Sequence, residues 1–150
     1  MIQRGNGLPN ERPAPSLTEQ ELSEFLDLFN QHYFGGRLRT YQVRIVTQFS
    51  TERRPETGGH ISRRPRLIEI RPFNLFGDYR PAYAMTAILL HELVHAAVSD
   101  YHGLKFRAEV RRLQRLVGID EIDDHYEIWE ETEIFVLILE QSPWARRLFP

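Results

Sequence analysis

The 150-residue sequence contains no cysteine. This absence excludes disulfide bonds, zinc sites built from thiolates and catalysis by a cysteine nucleophile. A reducing compartment is compatible with such a composition. Any metal site in this chain must therefore take nitrogen and oxygen ligands from histidine and carboxylate side chains.

Long apolar segments are also missing from the sequence. No apolar run approaches the roughly 20 residues that a membrane-spanning helix needs. The N-terminal stretch MIQRGNGLPNERPAPS lacks the apolar core of a signal peptide. We therefore expect a soluble, cytoplasmic protein with no membrane partner.

The composition is that of a folded protein rather than a disordered one. Hydrophobic residues make up 41% of the chain and charged residues 27%, and nine phenylalanines supply bulky core material. Residues 1–16 are rich in proline, glycine and asparagine, which predicts a flexible arm. The remaining residues, 17–150, are long enough for one domain with a single core.

Charge is distributed unevenly, although the net charge is only −2. Residues 37–71 hold nine arginines and three acids, whereas residues 120–140 hold nine acids and no lysine or arginine. The asymmetry fits either a polyanion-binding face or two solvated faces that neutralise each other in the fold. If the first interpretation holds, the candidate nucleic-acid contacts are Arg53, Arg54, Arg63, Arg64 and Arg66.

Local patterns predict the first helix and the first strand. Thr18 and Glu21 form a capping-box sequence ahead of apolar residues at helical spacing, and Gly35 and Gly36 end that pattern. In the following YQVRIVTQF, residues 41–49, side chains alternate between apolar and polar, as in a half-buried strand.

Two short β-prone segments, GHIS and RLIEIRP, predict further strands. Residues 81–98 are predicted to form a helix that is apolar almost all round, and residues 104–117 are predicted to form another. Residues 125–141 predict a fourth helix, although the run FVLIL leaves a strand possible. The expected fold class is α+β, with a small, mostly antiparallel sheet packed with about four helices.

The segment HELVH places two histidines and a glutamate on the most apolar of the predicted helices. His91 and His95, four residues apart, project from one face, since they are separated by about 40° in azimuth and about 6 Å in rise. Glu92 lies about 100° round from His91, within reach of a water beside a shared metal. The pattern indicates a zinc site with Glu92 as the general base of peptide hydrolysis, while the alternative is that these groups satisfy one another in the core.

A third metal ligand is needed, and His102 is the nearest candidate. The chain must turn between residues 98 and 103 to return it to the metal, which the composition SDYHG permits. His32 and His60 are assigned no role, and the same ligands suit manganese or cobalt as well as zinc. The competing third ligands are His125, Glu127, Glu130, Glu131 and Glu133.

The segment HELVHAAVSDYHGLKF resembles the active-site segment of SprT-like proteases, the family of Spartan, and NQHYFGGRL resembles the stretch between that family's first helix and first strand. The likeness covers residues 17–116. It implies a minimal zincin-like fold, zinc ligation by His91, His95 and His102, Glu92 as general base, and Phe106 as a packing residue behind the site. Eukaryotic members degrade proteins trapped on DNA, and many append a zinc ribbon, for which this cysteine-free chain has no thiolate ligands.

Three functions are therefore open at the level of sequence. The first is a zinc-dependent endopeptidase that cuts protein or peptide substrates, with DNA-associated or DNA-crosslinked proteins as candidates and DNA as a candidate partner. The second is a non-proteolytic module with structural zinc and an arginine-rich face for nucleic acid. The third is a regulatory HExxH protease that cuts one repressor partner.

Overall fold

The computed structural model describes residues 15–50, 58–74, 76–98, 102–119 and 131–149. Within these residues the chain forms five helices and a three-stranded sheet, which confirms the predicted α+β class. Residues 1–14 of the predicted arm lie outside the described residues, and the Ser16 hydroxyl donates a hydrogen bond to the Arg80 carbonyl. The elements are α1 (Glu19–Phe34), β1 (Gln42–Ile45), β2 (Gly59–Arg63), β3 (Arg66–Ile70), α2 (Ala82–Ala97), α3 (Leu104–Leu116), α4 (Glu131–Glu140) and α5 (Ala145–Leu148).

Helix α1 begins and ends as the sequence predicts. Thr18 Oγ1 accepts a hydrogen bond from the Glu21 N–H at 3.0 Å, and Glu21 Oε1 accepts one from the Thr18 N–H at 2.9 Å. Gly35 ends the helix in the left-handed conformation, with φ of 62°. Asn30 then closes the turn, since its side chain accepts from the Leu38 N–H at 3.0 Å and donates to the Leu38 carbonyl at 3.2 Å. The NQHYFGGRL segment is thus a helix end locked to the chain that leads into β1.

The sheet has the strand order β1-β3-β2, and its two pairings differ. β2 and β3, the two further strands that the sequence predicts, pair antiparallel as a hairpin, whereas β1 pairs with β3 in parallel. The sheet is therefore mixed rather than mostly antiparallel. The hairpin makes β3 run opposite to β2, and β1 lies on the free edge of β3 in the same direction as β3.

Strand β1 is shorter than the predicted 41–49. The last hydrogen bond beside β1 runs from the Val46 N–H to the Ile70 carbonyl, at the end of β3. Farther along, the Ser50 N–H and hydroxyl donate to the carboxylate of Glu69. The chain leaves β1 because its partner strand ends and because a buried carboxylate binds the segment that follows.

Helix α2 is the central element of the domain. It packs against α1, α3 and α4 and against strands β2 and β3, which explains why it is apolar nearly all round. The FVLIL run lies in helix α4 and contributes Phe135 and Ile138 to the core, so the strand alternative is wrong. None of the described helices combines the length and apolar character that crossing a bilayer requires.

Candidate metal centre

Three imidazoles converge beside the middle of α2. The Nε2 atoms of His91 and His95 are 3.2 Å apart, and each lies 3.1 Å from Nε2 of His102. We call this arrangement the histidine triangle. His91 and His95 come from one face of α2, and His102 comes from the start of the segment that leads into α3. The three ring nitrogens lie close enough together to bind one metal ion.

The separations match the requirements of a tetrahedral metal. Ligand nitrogens at about 2.0–2.1 Å from a tetrahedral zinc lie about 3.3–3.4 Å from one another, close to the separations in the triangle. A neutral imidazole has one N–H and one lone pair, so three nitrogens that all face one another cannot satisfy themselves by hydrogen bonds alone. A cation is the species that accepts all three lone pairs, and the donor set therefore fits zinc.

The backbone at His102 is held in an uncommon conformation. His102 has a φ of 65°, in the left-handed region that residues other than glycine adopt infrequently. This conformation turns the chain sharply just before α3 and brings the imidazole back to α2. Of the competing third ligands, Glu133 is exposed on α4, the side chain of Glu131 is not described, and His125, Glu127 and Glu130 lie outside the described residues.

An apolar wall lies behind the triangle. The ring of Phe106, fully buried on α3, has its centroid 5.2, 4.6 and 4.9 Å from the rings of His91, His95 and His102. Phe135 of α4 packs 5.5 Å from the His91 ring. Burial lowers the pKa of the His91 imidazole well below its usual range, and the neighbouring His95 and His102 lower it further. A neutral imidazole is the form that binds a metal.

Glu92 lies on α2 directly after the first histidine and is buried, with 6% of its surface exposed. Strand β2 passes close to it: a Cβ atom on Gly59 would stand 2.9 Å from Glu92 Oε2. The sequence predicts Gly59 as the first residue of the β-prone segment GHIS, but it does not indicate that the Gly58-Gly59 pair lies against α2. The two glycines let strand β2 approach α2 closely. This depends on contacts between residues about 30 positions apart, which local patterns do not reveal.

Of the five candidate nucleic-acid-binding arginines, three are described by the structure, and their contacts differ. Arg53 and Arg54 lie outside the described residues, and Arg64 is exposed at the turn of the hairpin. Arg66 donates through Nε to the Thr40 carbonyl at 3.2 Å.

Arg63 has a structural contact that the sequence did not suggest. Its Nη2 donates to the carbonyls of His95 and Val98 at 2.6 and 3.1 Å, and so satisfies carbonyls at the end of α2. Arg63 thereby fixes the backbone beside a ligand of the triangle.

Comparison with known proteins supplies the family. The sequence model of the SprT-like family matches residues 22–127, more than half of the chain, and this range includes the histidine triangle and Glu92. Searches of curated proteins and of solved structures found no match. On the strength of the family match, this chain belongs to the SprT-like family.

Proposed function

We propose that the protein is a zinc-dependent endopeptidase. The observation that carries the proposal is the convergence of three Nε2 atoms within 3.2 Å of one another, beside the helix that bears two of these histidines and the buried Glu92. Membership of the SprT-like family, which is generally linked to zinc metalloprotease-like function, supports the same assignment. The triangle supplies three protein ligands, the number that an open catalytic zinc site commonly uses.

The chemistry divides between the metal and the chain. Zinc, when bound, supplies a Lewis acid and lowers the pKa of the attacking water to about 7. His91, His95 and His102 would hold the metal, each through a neutral imidazole. The Glu92 carboxylate accepts the proton of the attacking water and then donates it to the amide nitrogen that leaves. Phe106 and Phe135 pack against the imidazole rings and exclude water from the side of the rings that they cover.

The decisive experiment pairs metal analysis with a cleavage assay on an unfolded protein. Glu92→Gln is expected to retain one zinc per chain and to lose about 100- to 10,000-fold in kcat, because general-base catalysis contributes that much. Glu140→Gln, at an exposed position on α4, is the matched control and should cleave like the wild type. Cleavage by the Glu92→Gln protein at the wild-type rate would show that the mechanism is wrong.

We further propose that the substrates are proteins associated with DNA. In support, a cavity of about 300 Å³ beside the last turn of α2 is lined by Arg37, Arg39 and Arg63, together with Tyr41 and Ala97. Three arginines thus line one concavity, and arginine is a residue that suits the phosphates of a nucleic acid. This cavity adjoins the metal centre, since Arg63 bonds the carbonyl of His95.

Binding of a fluorescent single-stranded DNA, measured at several salt concentrations, tests this second proposal. The affinity should fall steeply as salt rises, and Arg39→Gln should weaken it while Arg146→Gln, on α5, should not. DNA binding that persists in Glu92→Gln with no cleavage by the wild type would favour the non-proteolytic module. Cleavage confined to one partner, with unfolded proteins left intact, would favour the regulatory protease.

A further inference from the structure

Gly59, the first residue of β2, lies directly against helix α2. A Cβ atom added there would stand 2.6 Å from Ile88 Cγ2, 2.9 Å from Glu92 Oε2 and 3.2 Å from Glu92 Cγ. Real Cβ atoms essentially never come within 3.0 Å of a heavy atom outside their own residue and its two chain neighbours. The position therefore accepts only glycine while the strand, Ile88 and Glu92 stay where they are.

The requirement at Gly59 is for space and not for an unusual backbone conformation. The left-handed residues among those described are Gly35, Gly36, Gly77, His102 and Gly118, and Gly59 is not among them. The strand is held in place, because Gly59 pairs with Ile70 across the ladder and the Gly58 carbonyl accepts from the Arg71 N–H at 2.9 Å. An added methyl group must therefore displace the side chains of α2 that face it.

Of those two side chains, Glu92 has more rotatable bonds than Ile88. Ile88 is branched at Cβ and sits on a packed helix, so its rotamer is restricted. The Glu92 carboxylate lies at the end of three rotatable bonds and yields more easily to a nearby methyl group. A bare Cα at residue 59 thus forms one wall of the space in which the carboxylate rests.

We propose that Gly59 is a positioning residue for Glu92: its missing side chain lets β2 support the carboxylate in the orientation that proton transfer requires. The inference rests on the proposed endopeptidase function. In this assignment Gly59 acts through Glu92, whose carboxylate occupies the space beside its bare Cα. Misplacing a catalytic group by about 1 Å can cost on the order of 100-fold in rate.

The adjacent glycine provides a matched control. A Cβ atom on Gly58 would stand 2.7 Å from Ile88 Cδ1 and 3.4 Å from Arg80 Nη2, with Glu92 absent from its nearest contacts. Gly58→Ala and Gly59→Ala therefore both press on Ile88, but only Gly59→Ala presses on the carboxylate. Ile88→Ala removes the contact that the two positions share.

The test compares Gly59→Ala, Gly58→Ala, Ile88→Ala and the double variant Gly59→Ala/Ile88→Ala in zinc affinity, kcat and KM. Gly59→Ala is expected to bind zinc within about threefold of wild type, to lose at least about tenfold in kcat and to keep KM within about twofold. Gly58→Ala and Ile88→Ala should keep most of kcat, and Ile88→Ala should fail to rescue Gly59→Ala. Full rescue by Ile88→Ala, or an equal loss of kcat in Gly58→Ala, would reduce Gly59 to a packing residue and overturn the proposal.

A crystal structure of zinc-loaded Gly59→Ala separates this proposal from the proposed function. The Glu92 carboxylate should move by about 1 Å or more while His91, His95 and His102 keep their positions. A carboxylate that stays in place overturns the positioning role even if kcat falls. A displaced carboxylate in a protein whose wild type cleaves nothing would instead show that the endopeptidase assignment has failed.

Discussion

Two of the side-chain clusters among the described residues contain histidine, and they are built from different chemistry. The histidine triangle brings three imidazole nitrogens together with no acid among them. The second, which we call the Glu69 cluster, consists of Ser50, His60 and Glu69. Glu69 Oε1 accepts from the Ser50 N–H at 3.2 Å and from its hydroxyl at 2.8 Å, and lies 3.5 Å from Nδ1 of His60.

The difference lies in whether donors and acceptors balance. In the Glu69 cluster a buried carboxylate accepts hydrogen bonds from the N–H and the hydroxyl of Ser50, so protein atoms alone satisfy that carboxylate. In the histidine triangle, ring nitrogens face ring nitrogens, and balance requires an added cation. Proximity of polar side chains is therefore no sign of a metal site by itself. The composition of the cluster decides whether it stabilises the fold or binds a ligand.

Removing one histidine from each cluster should have the largest and most unequal effect. His95→Ala is expected to lower zinc affinity by more than the 10- to 100-fold that loss of an outer partner of a ligand typically costs, and to abolish cleavage. His60→Ala should retain stoichiometric zinc, as measured by competition with a chromogenic chelator. Similar losses in both variants would mean that the two clusters are not separate in function.

Zinc removal should destabilise the protein only through the triangle. Zinc at about 1,000 times its dissociation constant adds about 4 kcal/mol to the free energy of unfolding, which for a domain of this size is a melting-temperature rise of about 8–16 °C. Differential scanning fluorimetry with and without a chelator measures it. His60→Ala should show the full rise, and a rise of the same size in His95→Ala would contradict the assignment of the ligands.

Glu69→Ala should reduce stability without affecting zinc. The substitution removes the buried carboxylate that accepts two hydrogen bonds from the exposed Ser50, and the loss of these bonds is expected to lower the free energy of unfolding by about 1–3 kcal/mol in urea denaturation. Glu133→Ala removes an exposed carboxylate and should change it by less than about 0.5 kcal/mol. Loss of zinc from the Glu69→Ala protein would show that the clusters are coupled.

Acid should lower the free energy of unfolding of the metal-free protein through His91. This is the smallest of the predicted effects. Because the pKa of His91 is lowered in the folded state, the unfolded chain binds more protons than the folded chain below pH about 6.5. The free energy of unfolding should therefore fall as pH drops below that value, by at most about 1.4 kcal/mol per unit for this group. His91→Gln should remove this contribution in urea titrations at pH 7.0 and 5.5, and an unchanged pH slope would contradict it.

Much of the fold follows from local rules that the sequence displays. The capping box at Thr18 and the glycine at residue 35 set the ends of α1, and the spacing of apolar residues identifies α2 and α3. The parallel pairing of β1 with β3 is not a local property, because alternation reveals a strand but not its neighbour. For the same reason the pattern overextended β1 beyond Ile45.

The sequence by itself determined the chemistry that this protein can use: without cysteine, the HELVH helix and a nearby histidine were the means of binding a metal. The sequence named His102 and, by resemblance, Phe106 as candidates, but only the tertiary structure showed that His102 meets His91 and His95, that Phe106 packs against all three imidazoles and that Gly59 lies against Glu92. The reason is physical. Helical periodicity fixes relations within about one turn, whereas contacts between a helix, a strand and a turn depend on how all the elements pack together.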